Sequence, residues 1–428
     1  MRITGMERYI KLLKECGVDV WFIKERSVLS NELFFIKKRL DMRRINDSKD
    51  SVITVYTDKD ENGTKMRGRT DIIVAETMTD EEIKKLIKEA RYAAQFSLNP
   101  FYELPAPEKS DCIVQESTLN DVEFSKIADM FADAAYEVDN DGESFINSLE
   151  IFVEEHKVHM IGSKGTDVAY VKRLVNGEII TQCKSLQDVE TYEQFAYDNL
   201  ATDDFKRLLK NTLKHTRDRS FAKDKPKTGV SDVIISDAHM PELMKFYFAR
   251  GDASMIYPKY SNYEIGLNVQ GDDVKGDRLN ILYEPEDPFN DEGIRMVERT
   301  FLEDGVVKTI CGNQRLSYYL GIPQIGMYRK GKMPAGSVSF EDMKKDCIHV
   351  VNFSSFETSE MDGSFRGEIR LAYGYDKDGN VSLITGGSVN GSLLKSQKDF
   401  CFSKETQNLD NYIGPVAVKL KDVAIGGE

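Results

Sequence analysis

The sequence predicts an α+β fold, with a mixed N-terminal α/β domain that contains an antiparallel sheet and a C-terminal, mostly antiparallel, barrel-like β domain. Three observations favour this class. Up to residue 225, amphipathic helical patterns alternate with segments of period two. Beyond residue 229, short β-rich segments are separated by Gly, Asp and Asn. Between them, the polar segment AKDKPKTG is typical of a joint, so we predict domains at 1–225 and 226–428.

The N-terminal half contains four helical patterns. The clearest begins at Thr79, whose hydroxyl can cap the helix while Glu82 completes a capping box, and it ends before Pro100. The other three helices are predicted near residues 6–16, 120–136 and 205–213.

Strand patterns lie between these helices. Residues 51–56 (SVITVY) are rich in β-branched side chains, and they predict a strand. Residues 148–166 and 168–182 predict two antiparallel hairpins, the second turning at Asn176-Gly177, because Asn-Gly is a strong two-residue turn signal.

The C-terminal half is predicted to consist mainly of short strands. They are expected at residues 233–236, 263–270, 278–284, 305–312, 348–353, 367–387 and 415–425. Helices are expected only at residues 240–250 and 313–320.

The composition is that of a folded, acidic protein. The chain has 428 residues, of which 40% are hydrophobic and 30% charged, and this excludes a disordered or coiled-coil protein. Its 58 Lys+Arg and 72 Asp+Glu give a net charge of −14, which opposes nucleic-acid binding. No run of about 18 apolar residues predicts a membrane span, and we expect no signal peptide. Six dispersed cysteines without a C-x-x-C pair predict a reducing cytoplasm.

Local patterns for metal binding or nucleophilic catalysis are weak. Residues 58–63 (DKDENG) match the first half of a calcium loop, but Arg69 stands where a bidentate carboxylate is required, so we interpret them as a hairpin turn. No H-E-x-x-H spacing exists, and His156 and His159 are expected on opposite faces of a strand. Cys311 is the single thiol that we consider as a candidate nucleophile.

Longer segments, taken in order, carry more information. They are residues 79–105, 161–170, 287–294 (DPFNDEGI), 301–321 and 386–427. In order and spacing they resemble the TldD/PmbA family, which comprises two-subunit bacterial and archaeal peptide-processing proteins once labelled modulators of DNA gyrase. The resemblance covers nearly the whole chain.

The resemblance also implies a subunit type. In the TldD type, a helix after the domain joint carries H-E-x-x-x-H, which holds a catalytic metal with a Glu as base. The corresponding slots here hold Lys245, Phe246 and Arg250. Two cations cannot act as metal ligands and Phe cannot act as a base. The chain therefore resembles the metal-free TldE/PmbA type, with no catalytic, cofactor-binding or metal-binding residues of its own.

The resemblance implies a function through a partner. We expect a non-catalytic subunit of a TldD/TldE-type metallopeptidase, a pseudoenzyme that forms part of a chamber for unfolded peptides. Zinc is expected in the TldD-like partner of this heterodimer. Residues 402–411 (FSKETQNLDN) depart from the family pattern, so a metal-free, peptide-binding or scaffolding homodimer without a peptidase partner is the alternative.

Overall fold

The fold is built on three β-sheets, and a computed structural model describes it for residues 5–140, 142–409 and 411–427. The first sheet lies in the N-terminal half and the other two lie in the C-terminal half. The predicted α+β class is confirmed. The division at residues 225 and 226 stays a prediction. Within the described residues, no helix combines the length and apolar character that a membrane span requires.

The first sheet is long and almost entirely antiparallel. Its strands are β1 (Trp21–Ile36), β2 (Arg39–Glu61), β3 (Thr64–Ala75), β4 (Leu98–Pro100), β5 (Ile113–Val114), β6 (Ser144–Gly162), β7 (Asp167–Lys184) and β8 (Asp188–Tyr197). The order is β4-β3-β2-β1-β6-β7-β5, and β8 also pairs with β7. Only the short β5 runs parallel to its neighbour.

Both hairpins predicted at residues 148–166 and 168–182 are wrong, because these segments form the two strands of a single hairpin, β6 and β7, whereas the turn predicted at DKDENG is right. Strands β6 and β7 pair along their whole length, so Asn176-Gly177 lies inside β7 rather than at a turn. A Cβ at Gly177 would overlap the Glu150 carbonyl oxygen and the Phe195 ring, so this glycine permits close packing within the sheet. The segment DKDENG does form the β2–β3 hairpin, with Asn62 and Gly63 at φ of 52° and 80°.

Four helices accompany this sheet. They are α1 (Gly5–Glu15), α2 (Asp80–Ala94), α3 (Phe124–Val138) and α4 (Thr202–Phe221). Thr79 and Glu82 form the predicted capping box at the start of α2. Helices α1 and α2 share one apolar core with β1–β3, and α3 and α4 share a second core with β6 and β7.

The C-terminal half contains many short elements. In chain order they are β9 (Gly229–Ser236), α5 (His239–Arg250), α6 (Ala253–Ile256), β10 (Ile281–Glu284), β11 (Arg299–Glu303), β12 (Val306–Val307), α7 (Gln314–Leu320), β13 (Lys330–Lys332), α8 (Phe340–Met343), β14 (Cys347–Thr358), β15 (Ser364–Tyr375), β16 (Val381–Ile384), β17 (Ser388–Ser392), α9 (Leu393–Ser396), β18 (Cys401–Phe402), β19 (Thr406–Leu409), β20 (Tyr412–Pro415) and β21 (Ala417–Gly426).

Five of these strands close a barrel. The pairings run β14-β9-β21-β17-β15 and return to β14, and only the β9–β14 pair is parallel. The predicted barrel-like domain is thus confirmed. The third sheet has the order β12-β11-β10-β13-β20-β19. Buried side chains of α5 share one large apolar core with the barrel and with the third sheet.

The predicted strand at residues 263–270 is not a regular strand. Gly266 has a φ of 91°, which ends the extended conformation. The backbone of this segment instead makes isolated hydrogen bonds, from Gly266 N to Val307 O and from Val269 N to Gly305 O.

The segment DPFNDEGI joins the two halves. Phe289, which is 1% exposed, packs against Val158, Met160, Val168 and Tyr170 of the first sheet. Lys172 pairs with Asp287 at 2.5 Å, and Lys24 pairs with Asp291 at 2.5 Å. The C-terminal half is therefore fixed on the sheet by an apolar anchor between two ion pairs.

A second contact between the halves carries a half-buried acid, Glu193. Burial raises the pKa of Glu193 on β8 to about 7, and the nearby Asp237 carboxylate of the C-terminal half adds to this shift. Gln407 on β19 donates a hydrogen bond to the Asp237 carbonyl oxygen at 3.0 Å. The Glu193 carboxyl therefore favours its neutral form at this junction.

We expect Glu193→Gln to stabilise the protein at about pH 8 but not at about pH 4. The folded state binds more protons than the unfolded state between about pH 4.3 and the folded pKa, so stability falls as pH rises through this window. The gain at high pH should reach at most about 4 kcal/mol, because the folded pKa lies about 2.7 units above the unfolded one and one pKa unit is worth about 1.4 kcal/mol. Urea unfolding at both pH values measures it. The exposed Glu116→Gln is the control, and an unchanged pH profile in Glu193→Gln would contradict the assignment.

Candidate functional site

The first of the three slot residues, Lys245, takes part in a structural ion pair on α5. Its Nζ lies 2.7 Å from Glu242 Oε1, one turn earlier on the helix. The same carboxylate oxygen accepts a hydrogen bond from the Thr358 backbone amide at 2.9 Å. Lys245 thus supports a carboxylate that ties α5 to the end of barrel strand β14.

The second slot residue, Phe246, is part of the core. Its side chain is 1% exposed and belongs to the large apolar cluster of the C-terminal half. Its ring packs edge-on against Tyr247, with the ring centroids 5.1 Å apart, and faces the backbone at Gly363. Water and substrate have no access to this position.

The third slot residue, Arg250, holds two loops against the end of α5. Its guanidinium donates hydrogen bonds to the Met361 carbonyl oxygen at 2.9 Å and to Asn262 Oδ1 at 2.6 Å. It also donates to the Tyr260 carbonyl oxygen at 3.2 Å. The group lies over the Tyr263 ring, 5.2 Å from its centroid.

These three side chains do not fit a divalent metal. An ammonium, a guanidinium and a phenyl ring offer no lone pair to a cation, whereas zinc sites use Cys, His, Asp or Glu. Among the residues that the structure describes, no group of three such side chains is arranged to hold a metal ion. We derive no metal-dependent step in this chain.

The histidines take structural positions in the described chain. His156 Nδ1 lies 3.0 Å from Arg26 Nη2, and His156 Nε2 lies 2.6 Å from Glu154 Oε2. Burial lowers the pKa of both His215 and His239 to about 4, so these rings are neutral at physiological pH.

Cys311 is poorly suited to nucleophilic attack. The side chain is 1% exposed, and burial raises the pKa of its thiol to about 12. The Asp252 carboxylate, 3.8 Å from Sγ, disfavours the thiolate further. Because the thiolate is the reactive form, this environment opposes the nucleophile hypothesis.

A cavity between the two halves lies elsewhere, and we call it the sheet cleft. Its volume is about 310 Å³. Phe22, Thr54 and Asp71 form its floor, since they are aligned across β1, β2 and β3. The walls come from residues 97–105, 162–166, 291–292 and 313–315.

Charged groups of both signs line the sheet cleft. Arg69 makes two hydrogen bonds to Asp71, at 3.2 and 3.0 Å, so its charge is already matched. Arg315 Nη1 donates to the neutral Asn99 Oδ1 at 2.6 Å. The Gln314 amide donates to Glu292 at 3.0 Å, and burial raises the pKa of this carboxyl.

Aromatic side chains complete the sheet cleft. Trp21 is 7% exposed, Tyr102 is 5% exposed, and Tyr56 is half-buried. Burial raises the pKa of both tyrosines, so their hydroxyls stay neutral. Among the described residues, neither hydroxyl has a hydrogen-bond partner. The cavity therefore presents neutral hydroxyl groups beside guanidinium and carboxylate groups.

The sequence analysis did not single out the sheet cleft. Its residues come from separate segments that only the fold brings together. A signal was nevertheless present, because the segments 79–105, 287–294 and 301–321, on which the resemblance rests, all contribute to its walls.

Comparison with known proteins finds a family for the C-terminal half. Residues 228–427 match the model of the PmbA/TldA metallopeptidase C-terminal domain. This half belongs to the TldD/PmbA family. A search of curated protein sequences finds no match.

Solved structures with the same fold are found along the whole chain. TldE from Thermococcus kodakarensis superposes with a TM-score of 0.77 at 15% identity, covering 99% of this chain and 100% of TldE. A modulator of DNA gyrase from Thermotoga maritima superposes with a TM-score of 0.77 at 15% identity, and the alignment covers 98% of this chain and 99% of that protein. A modulator of DNA gyrase from Bacteroides thetaiotaomicron superposes with a TM-score of 0.77 at 14% identity, and the alignment covers 100% of both chains. At these identities the likeness shows the fold.

We expect Phe246→Glu, which places an acid at the position that the resemblance aligns with the Glu of the TldD motif, to destabilise the protein by more than about 3 kcal/mol. The substitution removes a buried ring and places a carboxylate in the apolar core. Urea unfolding measures the loss, and Tyr92→Glu at an exposed position of α2 is the matched control. Equal stability of the two variants, or rescue of Phe246→Glu by zinc, would show that the slot is an accessible site.

We expect thiol labelling of the native protein to modify Cys112 and to spare Cys311. Cys112 is exposed, whereas Cys311 is buried and its high thiol pKa keeps it protonated. Peptide mass mapping after treatment with iodoacetamide distinguishes the two. Urea-unfolded protein, in which both should react, is the positive control. Rapid native labelling at Cys311 would reopen the nucleophile hypothesis.

Proposed function

We propose that this chain is the non-catalytic subunit of a two-component TldD/TldE-type metallopeptidase that processes or degrades unfolded peptides. In this proposal a TldD-like partner supplies zinc, the catalytic base and the cleavage chemistry. This chain contributes part of the wall of the substrate chamber. The family match to a metallopeptidase domain and the likeness to TldE support it.

The observation that carries the proposal is the environment of Phe246. A degenerate motif could still lie in an open pocket and bind metal through other groups, but this position is closed by core packing. Lys245 and Arg250 are also committed to contacts within the chain, at 2.7 Å and 2.6 Å. The slot has thus become a structural part of the subunit.

A free sheet edge supports the peptide-handling part of the proposal. Strand β3 pairs with β2 only from Asp50 onward, so in the described chain residues 39–49 pair with β1 alone. Exposed apolar side chains follow this edge, among them Leu40, Met42 and Ile45, the last being 71% exposed. An unfolded peptide could add there as a further strand, because main-chain hydrogen bonds tolerate many sequences.

The homodimer without a peptidase partner remains the second candidate. It is favoured by the departure of residues 402–411 from the family pattern, of which residue 410 lies outside the described residues. The described part of this segment contains the end of β18 and all of β19, and β19 lies beside residues 196–198 of the N-terminal half. The predicted cytoplasmic location likewise stays a prediction.

We expect the purified chain with zinc to leave a flexible peptide uncut and the mixture with its TldD-like partner to cut it. Proteolysis assays on the chain, the partner and the mixture measure this. The matched control is the partner with the Glu of H-E-x-x-x-H changed to Gln, which should bind this chain but remain inactive.

Two outcomes would overturn the proposal. Zinc-dependent cleavage by the chain alone, abolished by substitutions in this chain, would make it a catalytic subunit. Purification from native cells that consistently yields a homodimer without an H-E-x-x-x-H chain would favour the second candidate.

A further inference from the structure

We propose that the sheet cleft binds the carboxyl end of a peptide, with Arg315 and the hydroxyls of Tyr56 and Tyr102 receiving the terminal carboxylate. The peptide class rests on the proposed function, whereas the carboxylate follows from the chemistry of the cavity itself.

The first argument is the state of the two tyrosine hydroxyls. Tyr102 is only 5% exposed, yet it lines the cavity. Among the described residues, its hydroxyl has no hydrogen-bond partner. Tyr56 presents the second such hydroxyl in the same cavity. Neither hydroxyl is among the fully buried unpaired polar atoms of the described chain, so each is open to the cavity. Both groups are therefore free to donate a hydrogen bond to a ligand that enters the cleft.

The positive charge of Arg315 is not matched by a carboxylate of the described chain. Within the described chain its guanidinium contacts the neutral Asn99 amide oxygen rather than a carboxylate. Arg69, in contrast, already holds Asp71 through two hydrogen bonds. A guanidinium fork matches a carboxylate in shape and charge, and neutral tyrosine hydroxyls donate to the same oxygens. Arg315, unlike Arg69, thus has no carboxylate partner in the described chain and is available to an added carboxylate.

The balance of charges in the cleft favours a peptide end over a phosphate-bearing ligand. The cleft is lined by three cations, Arg69, Lys164 and Arg315, and by three carboxylates, Asp71, Asp291 and Glu292. This balance does not attract a polyanion, which needs an excess of Lys and Arg.

The size and the other polar groups of the cavity suit a short peptide segment. Glu292 can accept a peptide N–H, while the indole and phenyl groups of Trp21 and Phe22 offer apolar contact to a side chain. A volume of about 310 Å³ lies at the small end of ligand pockets and fits the last few residues of a chain.

The chain contains its own reporter for this site. Trp21 is the one tryptophan in the sequence, and it lines the sheet cleft. Its fluorescence therefore reports ligand binding there without a label. We expect trialanine with a free carboxylate to change the emission in a saturable manner. We expect trialanine amide to bind at least about ten-fold more weakly, because it lacks the charged acceptor.

Substitutions locate the effect. Tyr102→Phe keeps the ring and removes the hydroxyl, and Arg315→Gln removes the charge. Each should weaken trialanine binding by about ten-fold. Tyr92→Phe on α2 and Arg366→Gln on β15 change exposed residues far from the cleft in sequence and should leave binding unchanged. Circular dichroism confirms that each variant is folded.

Three results would overturn the inference. They are the absence of any saturable change with trialanine, equal binding of trialanine and its amide, and equal or tighter binding of inorganic phosphate. The failure of this inference is distinguishable from that of the proposed function. Peptide cleavage by the mixture with the TldD-like partner would persist if only the cleft assignment were wrong.

Discussion

The structure depends on the insertion of Phe289 into the face of the first sheet. A C-terminal half anchored by a single aromatic ring could still rotate about it, but the ion pairs of Asp287 and Asp291 lie on either side of the ring. Because the three contacts come from one short loop, the loop itself must be rigid. Asn290 Oδ1 provides this rigidity by accepting the backbone amides of Glu292 and Ile294. The same turn brings the Glu292 carboxylate into the sheet cleft.

The three α5 positions that the resemblance aligns with the metal motif hold side chains committed to core packing and to contacts within the chain. In a metal-binding subunit the corresponding side chains must point into open space, where a substrate can reach the ion. Here a phenyl ring at the middle slot fills the core, so helix packing gains the burial of apolar area. The flanking cations remain at the surface of α5, where they bind Glu242 and two loop carbonyl groups. The position thus contributes to stability instead of chemistry.

Much of the fold could be predicted from local patterns, but the cleft could not. Periodicity and the Thr79 capping box identified the helices, and the run of short strands identified the barrel domain. The turn predicted at Asn176-Gly177 is wrong because turn propensity is a local property. The continuous strand β7 depends instead on its pairing with β6 and on the packing of the Phe195 ring against Gly177. The sheet cleft depends on contacts between distant segments, such as that of Arg315 with Asn99. No periodicity reports such contacts.

The slot and the sheet cleft are mechanically connected. At the end of α5, the Gly251 carbonyl oxygen accepts the Cys311 amide at 3.2 Å, and the Ala253 amide donates to the Cys311 carbonyl oxygen at 2.8 Å. The chain continues from Cys311 to Gln314 and Arg315, which line the cleft. A Cβ at Gly251 would overlap Tyr283 and Phe301, so α5 cannot shift there without disturbing the core. The end of α5 is therefore joined by backbone hydrogen bonds to the segment that continues into the cleft wall.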